Sequence, residues 1–128
     1  MAYYVARSLR GEFGALVEKT VAALKNEGFG VLTDIDIAAT LKQKIGADIP
    51  AYRILGACNP AFAQKALAAE DKIGVMLPCN VVVRDAGGGA IEVAAIDPRQ
   101  AMQAIGNPAL TEVAEAVASR LANAIDAL

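Results

Sequence analysis

Ile54-Leu-Gly-Ala-Cys-Asn-Pro60 is the stretch on which the architecture turns. It reads as the end of a β-strand running directly into a helix. Residues 51–57 form the strand, and alternation along it sets Tyr52, Ile54, Gly56 and Cys58 on one side, with Arg53 facing the other way. Asn59 then stands where a helix N-cap accepts hydrogen bonds from unpaired amides. Pro60 takes the first helical position, where an amide is not needed and φ is already set. The same device recurs at Asp97-Pro98 and Asn107-Pro108, so three helix starts can be placed. The segment also has an echo, Leu77-Pro-Cys-Asn-Val81, and Cys58 and Cys79 are the only cysteines in the chain.

Working outward, residues 3–8 alternate as a first strand. Residues 12–26 carry Phe13, Leu16, Val17, Val21 and Leu24 on one helical face, and Gly28 supplies a left-handed stop. A second strand begins at Phe29. A short helix over residues 37–44 follows, capped by Asp34 or Asp36, with Ile37, Leu41 and Ile45 expected to point inward and Gly46 to close it. Beyond the helix that starts at Pro60 and runs to about Ala69, residues 73–84 read as the most apolar strand, bent at Pro78. Residues 85–89 make a hairpin loop and residues 91–96 the returning strand. A short helix over 98–104 leads to a long C-terminal helix over 108–127. Its stripe of Leu110, Val113, Val117, Leu121, Ile125 and Leu128 should pack across the sheet. The total is about five strands with helices beside them, in one α+β domain spanning residues 1–128.

Composition narrows the function classes. A chain of 128 residues with 55% hydrophobic residues can bury a core without staples. No window approaches the roughly 20 apolar residues of a membrane helix, and the start lacks the long apolar run of a signal peptide, so a cytoplasmic protein is expected. Twelve basic and fourteen acidic residues are interspersed, for a net charge of −2. That distribution offers no cationic cluster for a nucleic acid. Histidine is absent, which removes Ser-His and Cys-His nucleophile pairs and His-ligated metals. Two cysteines cannot complete a four-thiolate zinc site within one chain.

Five residues remain as candidates for a site. Cys58 precedes a helix start, whose amides and dipole favour thiolate, while its apolar neighbours favour the thiol. The alternative is a small packed hydrophobe. Cys79 lies among valines and reads as core unless the two strands bring its sulfur close to that of Cys58, where a pair would be redox-active or catalytic. Asn59 is a cap or a ligand contact. Asn80, polar inside a strand, either bonds a loop or points into a pocket. Tyr52 can line the same cavity or stand in the core with its hydroxyl at the rim. Gly87-Gly88-Gly89 leads into a strand and not a helix, so it reads as a hairpin tip and not a phosphate cradle.

The segments Gly28-Phe-Gly-Val-Leu-Thr-Asp-Ile-Asp36, Ile54–Pro60 and Leu77-Pro-Cys-Asn-Val-Val-Val83 together resemble the domain-of-unknown-function family 302, over nearly the whole chain. The resemblance implies an antiparallel sheet with helices packed on it, of the TATA-box-binding-protein-like type, and a homodimer. It implies no reaction, and the fold type carries no DNA binding with it. The leading expectation is a pocket lined by Cys58, Cys79 and Asn80 that handles a sulfur species, a soft metal such as Cu(I) or a redox change. The alternatives are a non-catalytic module that encloses a small apolar ligand, or a structural homodimer.

Overall fold

The computed structural model describes residues 2–128. Five strands form one antiparallel sheet: β1 (Tyr4–Arg10), β2 (Gly30–Asp36), β3 (Tyr52–Cys58), β4 (Cys79–Gly87) and β5 (Ala90–Ile96), in the spatial order β1-β5-β4-β3-β2. The β4–β5 hairpin turns through Gly88 and Gly89, both at positive φ, where a side chain would be strained. The strands alternate cleanly. Along β4, Cys79, Val81 and Val83 are buried while Asn80, Val82 and Arg84 are not.

That buried face is covered by two helices, α1 (Phe13–Asn26) and α5 (Ala109–Asp126). The expected stripe on α5 lands inside: Leu110, Val113, Val117, Leu121 and Ile125 all join the core with Leu55, Val81, Val83 and Val93. α3 (Pro60–Ala69) packs against α5, and α4 (Pro98–Gln103) packs beside it. α2 (Ile37–Ile45) contacts β3, and on the opposite face of the sheet Asn80, Val82 and Arg84 of β4 stay at least partly exposed, as a single-sided antiparallel sheet allows.

Three expectations are corrected. The apolar segment read as the start of the fourth strand is instead a 3₁₀ turn at Ile73–Met76, followed by a cis Leu77–Pro78 bond, and β4 begins only at Cys79. Hydrophobicity alone does not separate a strand from a buried turn. α2 (Ile37–Ile45) exists and is capped by Asp36, which accepts from the Ala39 amide at 2.8 Å, but none of its residues is buried. Ile37, Leu41 and Ile45 therefore do not point into the core. Asn59 occupies the N-cap position of α3 yet makes no side-chain capping bond.

Asp97 does cap α4, and strongly. Its carboxylate accepts from the Arg99 amide at 3.0 Å and from the Arg99 guanidinium at 3.0 and 2.8 Å, and the residue is 6% exposed. The Arg99 hydrogen bonds hold the carboxyl below its usual range, against the opposing effect of burial. Asp97→Ala is expected to cost about 1 kcal/mol at neutral pH. Because the folded pKa is depressed, this contribution is present above the unfolded value near 3.9 and fades as pH falls through the folded one. Urea midpoints of wild type and variant should converge in acid. A constant gap down to pH 2 would remove the charge from the explanation.

Candidate functional site

The C-terminal end of β3 and the N-terminal end of β4 meet at one edge of the core, and a cleft of about 360 Å³ opens there. Its inner wall is Ala57 and Cys79, rung partners in the β3–β4 ladder, with Val113 and Val117 of α5 behind them. Phe62, Ala63, Ala66 and Leu67 of α3 form the facing side. Leu32 reaches the cleft because the β2–β3 register shifts between Val31 and Thr33. The shift leaves Leu32 out of the ladder and 67% exposed. Leu77 and Pro78 close the lower rim. Phe62 is flanked by two cations, Lys65 Nζ and Arg120 Cζ, each 5.7 Å from its ring centroid, which steadies the ring at the mouth.

Both cysteines border this cleft, and both are free thiols. They do not form the pair that the echo suggested. β3 and β4 are indeed neighbours, but the register sets Cys79 opposite Ala57, while the rung partner of Cys58 is Gly30 on the other flank. The offset of one residue is what separates them, since strand partners are fixed rung by rung. Cys79 is buried, and burial pushes its thiol up to about 11, with Cys58 a lesser cause. Near neutral pH it is therefore a protonated, apolar wall and not a nucleophile. Cys58 is half-buried.

Asn59 also lines the cleft, and it is the one amide side chain among the lining residues. Freed from capping α3, it lies over Gly28, where a Cβ would come within 3.0 Å of its Nδ2. Gly28 has φ +87, so both space and backbone favour glycine there. The remaining two candidates lie elsewhere. Asn80 directly follows Cys79 on β4, so its side chain emerges on the opposite face of the sheet, and Tyr52 joins it there in a second groove. The single pocket expected for Cys58, Cys79 and Asn80 is thus two sites on two faces. Alternation along β4 separates Cys79 from Asn80, although the pocket expected from the sequence joined them. Val113 and Val117 were legible only as core residues, and nothing in their spacing marked them as cleft walls.

Among the described residues no cluster of three or more Cys, Asp or Glu side chains could hold a metal ion, and no helix is long and apolar enough to cross a membrane. What the geometry defines is a small two-layer α+β domain with a hydrocarbon-lined cleft at one end of its sheet. The chain belongs to the family described as domain of unknown function DUF302, whose model matches residues 5–128. It is also similar to the crystal structure of an uncharacterised conserved DUF302 protein from Bacillus stearothermophilus. The two share 29% identity and a TM-score of 0.91, with 98% of each chain covered. No curated protein matches the chain.

Proposed function

We propose that the protein binds a small apolar ligand in the cleft between β3, β4, α3 and α5, with a polar end of the ligand at Asn59. The observation that carries this reading is the cleft itself, about 360 Å³ and walled almost wholly by aliphatic, aromatic and thiol side chains. A volume of that order suits a small molecule, and apolar walls with one convergent polar group are the usual composition of such sites. Asn59 supplies that group, since its amide caps nothing and can donate and accept. Thiol chemistry is less well supported. A catalytic or redox role needs thiolate near neutral pH, and Cys79 is held protonated by its surroundings. In this reading the two sulfurs are soft, polarizable wall atoms.

1-Decanol, an apolar chain with one uncharged polar end, is the probe. It is expected to raise the melting temperature saturably, by an amount equivalent to about 2.7 kcal/mol at a hundredfold excess over Kd. Ala63→Trp, which fills the cleft from α3, should abolish the effect, and Asn59→Ala should weaken it several-fold. Cys58→Ser and Cys79→Ser should leave binding in place. If decanol gives no stabilisation, or if Ala63→Trp responds as wild type does, the cleft is not the site. If the serine variants alone lose binding, thiol handling takes precedence.

A further inference from the structure

The opposite face of the sheet holds a groove of about 400 Å³ that differs in chemistry from the cleft. All three tyrosines of the chain, Tyr3, Tyr4 and Tyr52, line it. The three phenylalanines lie elsewhere, Phe13 and Phe29 in or against the core and Phe62 at the cleft. The rungs of the ladder lay the groove out in rows. Tyr52 pairs with Arg84 and Arg84 with Glu92, forming one row. Val82 pairs with Ala94 in the next, and Tyr4 pairs with Ile96 beyond it, on the row that Asn80 reaches from β4. The middle row carries small or β-branched side chains, with Tyr52 on the row to one side of it and Tyr4 on the row to the other. Tyr3 and Tyr4 contact edge to face, with centroids 5.0 Å apart.

Polar groups mark two ends of that floor. At one end Arg84 Nε donates to Glu92 Oε1 at 2.8 Å, so the two charges cancel locally. At the other end stands Asn80, exposed and without a hydrogen-bond partner for its amide among the described residues. Asn80 and Arg84 are four residues apart on one strand, a span of about 13 Å. A site with no net charge, a floor of small or β-branched side chains, aromatic rings to either side and an unused amide selects for shape and for hydrogen-bonding edges. We propose that the groove binds a flat, uncharged heteroaromatic molecule of bicyclic or larger size. The ligand lies on the Val82–Ala94 floor between the tyrosine rings, with a donor–acceptor edge toward Asn80. Ring stacking supplies affinity and the amide supplies orientation.

The chain has no tryptophan, so its intrinsic emission comes only from the three tyrosines of this groove. Quinolin-2-one, a neutral bicyclic lactam, is the probe, followed by tyrosine emission and by calorimetry on the intact chain. Saturable quenching with a Kd below about 1 mM is expected. Asn80→Leu should weaken binding about tenfold, the loss of one hydrogen bond. Ala94→Arg, which raises a charged side chain from the floor, should abolish it. Circular dichroism should report both variants folded. Cys58→Ser, in the other cavity, should bind as wild type does. Three results would overturn the proposal: no saturable change in wild type, unaltered affinity in folded Asn80→Leu, or a dimer in sedimentation velocity that quenches the tyrosines without probe. The last would give the face to a second copy of the chain.

Discussion

Gly56→Val is expected to lower stability by about 3 kcal/mol, the upper part of the range for overpacking a filled site. Gly56 stands in the middle of β3, with Thr33 as its rung partner on β2 and Asn80 on β4. A Cβ built there would overlap Thr33 Oγ1 and lie 2.7 Å from Pro78 Cγ. Thr33 can turn about χ1 at some cost, but the Pro78 ring is held between Leu77 and the start of β4 and has little room to yield. Strand propensity points the other way, because valine is a better strand residue than glycine. The sign of the result therefore decides between backbone preference and local space. Gly56→Ala should show a smaller loss, and adding Thr33→Ala to it should recover part of that loss. Urea unfolding at neutral pH would measure all three. A Gly56→Val midpoint at or above that of wild type would mean that the close approach of Thr33 and Pro78 is not rigid. Pro78 also lines the cleft, so the same substitution should disturb decanol binding.

Gly56 also marks the limit of what pattern can reveal. A glycine inside a strand suggests a close neighbour, but which neighbour depends on the register of β2 and on the path into β4. The C-terminal helix was legible because a 3.6-residue apolar period survives any tertiary context, and Leu110 to Ile125 are buried as that period requires. α2 has the same kind of period and no buried residue, because periodicity shows which side of a helix is apolar and not whether anything lies against it. Asp97 acts as the cap that its sequence suggests, whereas Asn59, in the same Asx-Pro context, turns its amide toward Gly28 and the cleft. Tyr3 and Tyr4 could not be joined to Tyr52 in advance. Their meeting depends on β1 lying beside β5, a pairing between the first and last strands that no local signal encodes. The antiparallel sheet was foreseen through family resemblance, whereas alternation along β4 put Cys79 and Asn80 on opposite faces and register set Cys79 opposite Ala57 and not Cys58.

Alkaline solution should expose the state of Cys79. Burial raises its folded pKa from 9.0 to about 11, so the folded chain keeps a proton that the unfolded chain releases sooner. Where the unfolded state binds fewer protons, stability falls with rising pH. The contribution of the neutral thiol is therefore intact below about pH 9 and is lost as pH climbs through 11, at about 1.4 kcal/mol per unit and roughly 3 kcal/mol in all. Alkali acts on the whole chain, so the informative quantity is a difference between proteins. In reducing buffer, Cys79→Ala should begin less stable than wild type, since a buried side chain has been cut back. It should then decline less steeply between pH 9 and 11, so that the two curves close. Cys58→Ala, which leaves the buried thiol in place and removes only the lesser cause of its shift, should keep most of the wild-type slope. Parallel curves for wild type and Cys79→Ala would mean that the thiol ionises without penalty, which requires water or a cation within reach of its sulfur. The inner wall of the cleft would then be polar, and a hydrocarbon ligand would have no reason to lie against it.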